Sequence, residues 1–288
     1  MSLPRFKYLA PKTIKEVCKL LSQYKGRVKI IAGGTDLLVK MKDRELTPQY
    51  LVGIKKIESL DYIHYNPVTG LRIGTLTSNQ SVANSPIIRE KFAILSKAAE
   101  EIGSPQIRNM GTIGGNLCNA VPSADMASPL IALKATVKLL SFKRERTIAL
   151  EKFFVGPGET VLKADELLTE IQVPNLSPRT GGTYLKLYSR GSVDIATVGV
   201  AAVLTIGKND NCDSIRIALA AVGPTPLRAK EAEEIIKGKK IENGIVEKAA
   251  QAAAEEARPR SSPEYKRQMV RVLTMQAIMQ SLEQAKQA

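Results

Sequence analysis

Hydrophobic and polar positions alternate along this chain in two recognisable periods, and the change of period marks its parts. Phe6 and Tyr8 stand between Arg5 and Lys7 as a short strand that Pro11 ends. Thr13 with Glu16 has capping-box spacing, and Ile14, Val17, Leu20 and Leu21 then share one face of a helix. Apolar Val28–Ala32 predicts a buried strand, broken by Gly33 and Gly34. Thr35 or Asp36 then stands where a cap for a helix over Leu37–Met41 is needed. Tyr50–Ile54 and Leu71–Gly74 read as further strands. Thr77 and Gln80 repeat the capping-box spacing, and Ser85-Pro86 starts a helix that runs to Glu101, where Gly103, Ser104 and Pro105 end it. The segment GTIGGNLCNAVPSADMASPLIAL, Gly111–Leu133, opens on a glycine-rich turn and closes on an apolar run, Met126–Leu133, that predicts a buried helix.

Strand signals follow at Ala135–Leu140, Arg146–Leu150 and Leu167–Val173, and PNLSPRTGG, Pro174–Gly182, is the best linker. Beyond it three strands are expected, Thr183–Tyr188, Thr197–Ile206 and Ser214–Val222. Ala, Glu, Lys and Gln at helical spacing then predict helices at Leu227–Lys237, Asn243–Ala257 and Pro263–Gln284. The reading is an α+β chain of two domains, 1–176 and 177–288, the second an antiparallel sheet followed by helices.

Composition narrows the function classes. A chain of 288 residues with 44% hydrophobic content can bury a good core. It has no apolar run near the ~18 residues of a membrane span and no secretory leader pattern, so a cytoplasmic protein is expected. Cys18, Cys118 and Cys212 are isolated and His64 is the only histidine, which rules out a disulfide framework and imidazole-pair metal sites within the chain. Cys118 is a reactive thiol or, more plainly, a half-buried filler, and His64 is expected at the surface. The net charge of +14 raises nucleic-acid binding, but basic residues interleave with acids, as in KDRE and KRER, and aromatics are 5%. A basic face meeting an acidic partner subunit fits better. No serine of the Gly111–Leu133 segment has a histidine near it in sequence, which argues against a serine hydrolase.

The candidate chemistry lies in the two glycine turns. Each can present bare backbone N–H donors to an anion, and a strand, a glycine turn and a helix start are the parts of a phosphate site. Two such turns can hold the two phosphates of one dinucleotide. Neither a GxGxxG fingerprint nor a Walker A sequence is present, so the nucleotide is not held on a doubly wound sheet.

AGGTDLL followed by TIGGNLCNAVPSADMASPL resembles the FAD-binding medium subunit of the molybdenum hydroxylases, the family of xanthine dehydrogenase, carbon monoxide dehydrogenase and 4-hydroxybenzoyl-CoA reductase. The resemblance runs from PRFKYLAPKTIKEV to the terminal helices. It implies the two-subdomain FAD fold of the vanillyl-alcohol oxidase (PCMH) type, followed by a C-terminal α+β domain that closes over the flavin. It implies that Ile30, Ile31, Ala32, Gly33, Gly34, Thr35, Asp36 and Leu37 wrap the pyrophosphate. Thr112, Ile113, Gly114, Gly115 and Asn116 would meet the phosphate and ribityl portion, and Asp125 a hydroxyl-bearing part of FAD. Ile102 would touch the nucleotide end, and Leu168, Lys186 and Ile195 the flavin side. From the residues alone, Asp125 is a helix N-cap, Leu168 a strand core residue and Lys186 a solvated lysine.

By the same resemblance the partners are a molybdopterin-binding large subunit and a small subunit with [2Fe-2S] clusters, in a dimer of heterotrimers. FAD would pass their electrons to NAD or another acceptor, and Lys186 would favour the anionic reduced flavin. Carbon monoxide dehydrogenases have histidine-serine at Thr35-Asp36 and tyrosine at Ile195, which argues against carbon monoxide as the substrate. The inserted cysteine-rich loop of 4-hydroxybenzoyl-CoA reductase is absent too. The alternatives are a scaffold subunit without flavin and a free-standing FAD oxidase.

Overall fold

The computed structural model describes residues 2–188, 191, 194–207 and 209–288. The first layer is a small parallel sheet. Strand β1 (Lys7–Leu9) leads into helix α1 (Ile14–Gln23), then β2 (Val28–Ile31), helix α2 (Leu37–Lys42) and β3 (Tyr50–Gly53), which takes the centre of the order β1-β3-β2. Thr13 caps α1 by accepting the Glu16 N–H at 3.2 Å, and the Glu16 carboxylate reaches back to the Lys12 N–H at 2.7 Å. Val17 and Leu21 of α1 pack with Val52 and Ile54. The sequence predicts a fully buried β2, but the strand is only half-buried, because its outer side forms the wall of a cleft.

The second layer is a five-stranded antiparallel sheet of order β4-β5-β10-β6-β7, with a cluster of short helices against it. Strands β4 (Ile63–Asn66) and β5 (Gly70–Gly74) form a hairpin that carries His64 on its exposed side. Helices α3 (Asn79–Asn84), α4 (Pro86–Lys91), α5 (Ala93–Glu100), α6 (Pro105–Met110), α7 (Ile113–Asn119) and α8 (Ala127–Ala132) follow in one run. Strands β6 (Thr136–Leu140), β7 (Glu145–Ala149), the small pair β8 (Phe154–Gly156) and β9 (Glu159–Thr160), and β10 (Leu167–Val173) complete this part.

Several expectations change here. The helix expected from Pro86 to Glu101 is two helices broken at Phe92, whose buried ring fills the core at the break. The cap of α3 is Ser78, not Thr77; the Thr77 hydroxyl instead ties to Tyr62. The stretch before Gly111 is helix α6, capped by Ser104.

The third layer is a four-stranded antiparallel sheet, β11 (Thr180–Leu187), β12 (Val198–Ile206), β13 (Cys212–Ala220) and β14 (Leu227–Arg228), with helices α9 (Lys230–Ile236), α10 (Asn243–Glu256) and α11 (Pro263–Gln287). Val198, Val200, Ala202 and Leu204 of β12 face these helices, including the α11 stripe Val270, Ala277, Ile278 and Ala285. The opposite face, Tyr184, Ala201, Val203 and Ala218, belongs to the same core as α5 and α8. The sheet is thus buried on both sides, which explains why β12 reads as a continuous apolar run. Gly181 permits α11 to lie close, since a Cβ there would stand 2.0 Å from the Ser281 carbonyl oxygen. Among the described residues no helix is long and apolar enough to cross a membrane.

Candidate functional site

The end of β2 and the start of α7 face each other across a cleft of about 920 Å³. That is near the upper end of the ~300–1,000 Å³ usual for small-molecule sites. The two glycine segments meet at its floor. A Cβ on Gly33 would stand 1.9 Å from the Met110 carbonyl oxygen, and one on Gly114 would stand 1.7 Å from the Thr75 hydroxyl. Gly34 has φ +75°, a conformation that turns the chain from β2 into α2.

The segments are chemically unlike. The backbone N–H groups of Gly33, Gly34, Thr35, Asp36 and Leu37 donate to no described residue. They form a row of free donors on the cleft wall, the arrangement that suits a diphosphate. Helix α2 is short, so its dipole adds little beyond these local N–H groups. The second segment departs from expectation. Gly114 and Gly115 lie in the first turn of α7, not in a loop, and its amides are engaged within the chain: Ile113 donates to Thr77 O, Gly114 to Thr75 O, Gly115 to the Thr112 hydroxyl at 3.0 Å, and Asn116 to Thr112 O. What α7 gives the cleft is close backbone approach, the Thr112 hydroxyl and the Asn116 carboxamide, whose Oδ1 is buried without a partner among the described residues.

A side-chain chain ties the segments together. Lys40 Nζ donates to Asn119 Oδ1 at 2.6 Å, and Asn119 Nδ2 donates to Asp36 Oδ1 at 2.8 Å. Asp36 occupies the cap position of α2 but makes no capping hydrogen bond, because its carboxylate is drawn to Asn119 and the Thr35 hydroxyl. Burial pushes the Cys118 thiol up to about 12, so this cleft-lining cysteine is the filler of the plainer reading rather than a thiolate.

Of the residues that the resemblance places at the cofactor, the structure brings Ile30, Ile31, Ala32, Gly33, Gly34, Thr35, Asp36, Leu37, Ile102, Thr112, Gly114, Gly115, Asn116 and Leu168 together as lining of this cleft. Leu168 is a strand core residue as well. Four residues expected at the cofactor are not among those that line the cleft. Ile113 is fully buried behind α7, because its helical position points into the core. Ile195 is 73% exposed and outside the lining. Asp125 and Lys186 sit at the junction of the second and third layers, where Lys186 Nζ meets Asp125 Oδ2 at 3.1 Å and the Glu101 carbonyl at 2.8 Å, and Tyr184 donates to Asp125 Oδ1 at 2.7 Å.

Lys186 is thus a buried lysine with a matched charge, 2% exposed, and not a solvated one. Asp125 caps no helix, since α8 begins at Ala127 without a side-chain cap. Burial pushes the Asp125 carboxyl above its ordinary range, against the pull of Lys186 and Tyr184. Of the loop expected to face the flavin, Ser189–Ala196, the residues Ser189, Arg190, Ser192 and Val193 lie outside those described.

Lining residues that the pattern does not single out include Thr75, Asn79, Ile107, Lys40 and Lys163, while Asn119 is one of the polar residues that follow the second glycine turn in sequence. Asn79 is hidden inside the polar run TSNQ, where it looks like helix surface. Its only sequence signal is its place one residue after a serine cap.

These residues fit FAD. The free amides match its diphosphate, and the unpartnered carboxamides and the hydroxyls match its alcohol groups. Apolar Ile30, Ile102 and Leu168 match its ring systems.

Comparison with known proteins agrees. Residues 4–176 match the model of the FAD binding domain in molybdopterin dehydrogenase, and residues 183–281 that of the CO dehydrogenase flavoprotein C-terminal domain. The chain is 38% identical to the nicotinate dehydrogenase FAD-subunit of Eubacterium barkeri over 81% of its own length and 80% of that protein's. It is 36% identical to the carbon monoxide dehydrogenase medium chain of Hydrogenophaga pseudoflava over 96% of each. A solved structure of carbon monoxide dehydrogenase from that organism superposes with a TM-score of 0.94 at 36% identity, covering 98% of each chain. Quinoline 2-oxidoreductase from Pseudomonas putida 86 superposes at 0.91 with 29% identity, covering 99% of each. The chain belongs to the family of FAD-binding medium subunits of the molybdenum hydroxylases.

Proposed function

We propose that this subunit is an electron relay. It takes electrons from the [2Fe-2S] clusters of a small partner subunit, which a molybdopterin-binding large subunit supplies from its substrate, and passes them to NAD or another acceptor. The complex is a cytoplasmic dimer of heterotrimers, and this chain turns over substrate only within it. The observation that carries the reading is the row of free N–H groups from Gly33 to Leu37 facing the Gly111–Asn116 segment across the cleft. Residues 1–176 hold the cofactor and residues 177–288 close the site, a division supported by the two family matches.

The chain's own residues bind, orient and exclude water. The amides of Gly33–Leu37 hold the diphosphate, while Asn119 draws the Asp36 carboxylate aside and so keeps a negative charge off the phosphates. Thr112 and Asn116 orient the segment beside it. Ile30, Ile102 and Leu168 make the walls apolar, which strengthens each polar contact inside. Bound FAD supplies a centre that is stable with zero, one or two added electrons. Asp125, Tyr184 and Lys186 act from behind the cleft wall, tying the third layer to the second beside Ile102, which lines the cleft.

An absorption spectrum of the purified chain, followed by acid release of its flavin, tests the first step. Flavin bands and stoichiometric FAD in the supernatant are expected. A colourless chain that takes up no added FAD would point to a scaffold subunit, and turnover of substrate by the isolated chain to a free-standing oxidase.

A further inference from the structure

Asn79 opens α3 beneath the meeting point of the two glycine segments. Only 3% of it is exposed, yet it lines the cleft. Its backbone N–H donates to Gly111 O, which fixes the residue under α6 and α7. Its side chain is otherwise alone: Oδ1 is buried without a partner and Nδ2 has no acceptor among the described residues. Such a group is costly unless something pairs with it. The same spot holds the Thr35 hydroxyl. The Cβ that Gly111 lacks would stand 3.2 Å from Asn79 Nδ2 and 3.4 Å from Thr35 Oγ1. A missing side chain, an unpaired carboxamide and a hydroxyl therefore converge next to the free amides of Gly33–Leu37.

We infer that Asn79 is a ligand-binding residue that takes an alcohol group of the bound dinucleotide. The inference rests on the FAD reading above and deepens it. A carboxamide offers one acceptor and two donors side by side, and a hydroxyl, which both donates and accepts, answers that set as an apolar ring does not. The groups adjoining a dinucleotide's diphosphate are alcohols on either side, those of the ribityl chain and those of the adenosine ribose. Aspartate at this position would keep the acceptor but bring a negative charge beside the phosphates.

The experiment compares wild type, Asn79→Leu and Asn79→Asp as deflavinated full-length chains. FAD affinity is read by flavin fluorescence, ADP affinity by competition and apoprotein stability by heat scan. The leucine substitution removes a buried unpaired polar group at similar volume, so the apoprotein melts higher while FAD binds about tenfold more weakly, the loss of roughly one hydrogen bond. The aspartate variant binds FAD more weakly still. Unchanged ADP affinity in the leucine variant assigns the ribityl alcohols, and a parallel loss assigns the ribose. If the leucine variant binds FAD within twofold of wild type, or loses affinity only in step with a lower melting temperature, the inference falls. The aspartate variant, nearly isosteric, decides the matter should the leucine variant fail to fold. A wild-type chain that binds no FAD overturns the underlying reading instead, which keeps the two failures distinct.

Discussion

Gly114 and Gly115 are neighbours in the same helical turn, and the structure gives them different tasks. A Cβ on Gly114 would lie 1.7 Å from Thr75 Oγ1 and 2.7 Å from the Thr75 carbonyl oxygen, so that glycine is needed for α7 to pack on the end of β5. A Cβ on Gly115 would meet only the Thr112 hydroxyl, at 3.0 Å, on a residue that lines the cleft. Gly114→Ala is therefore expected to destabilise the chain by about 1–3 kcal/mol, the cost of overpacking. For Gly115→Ala the helix gains up to ~1 kcal/mol from alanine, offset by the displacement of Thr112. Its melting temperature should stay close to wild type while FAD affinity drops, because the methyl group stands in the cofactor's space. Heat scans with FAD titration separate the two. If both variants lose stability equally, Gly115 is a packing residue.

At the scale of elements, α2 and α7 form the site only while they are held in register. Gly33 presses on the end of α6, and Asn119 holds Asp36 and Lys40 of α2 to the last turn of α7. Asn119→Ala removes that tie and costs about 1 kcal/mol for partly exposed hydrogen bonds, or some 2–4 °C in a chain of this size. FAD should leave several-fold faster, because the donor row is no longer fixed and Asp36 is freed to approach the phosphates. Asn119→Asp combined with Asp36→Asn restores a donor–acceptor pair with the roles exchanged, and should recover slow release. A double variant as leaky as Asn119→Ala would show that the tie does not hold the site.

The same elements show what sequence conveys. The strands at Leu167–Val173 and Thr197–Ile206 were legible from their apolar runs and α10 and α11 from long stretches of helix-forming residues, whereas Leu227–Arg228, expected in a helix, pair with β13 as β14. The first glycine segment was legible because strand, glycine pair and helix follow one another in the chain. The helical nature of Ile113–Asn119 was not, since two glycines lower helix propensity and only the Thr75 and Thr77 carbonyls of a distant hairpin end, which accept its amides, settle the matter. Asn79, Asn119 and the burial of Lys186 depend on tertiary neighbours that no local pattern encodes.

For the molecule as a whole, the third layer packs its own helices on one face and shares the other face with the core of the second layer. Ala201, Val203 and Ala218 pack with α5 and α8, and a charged network crosses the junction beside them. Arg216 donates to the Ile131 carbonyl and meets Glu151 at 2.7 Å, while Arg228 pairs with Glu151 at 3.5 Å and with buried Glu233. Heat unfolding of the apoprotein should therefore be a single transition, and acid should weaken the junction. Burial alone would raise the Glu151 carboxyl, but Arg216 and Arg228 overcome it and hold the group below its ordinary 4.5. The unfolded chain then binds the proton more readily than the folded one. The stabilisation is full above pH ~4.5 and is lost as pH falls through the depressed folded value. Glu151→Gln should melt below wild type at pH 7 and lose less stability between pH 5 and 3, so that the two curves converge in acid. Some acid loss remains in the variant, because Glu166, held low by Arg146 and the Lys163 N–H against its own burial, titrates in the same direction. Parallel curves would mean that the Glu151 network contributes nothing to the junction. Two separate transitions in wild type would mean that the layers unfold apart, and the cleft would then owe its shape to the first two layers alone.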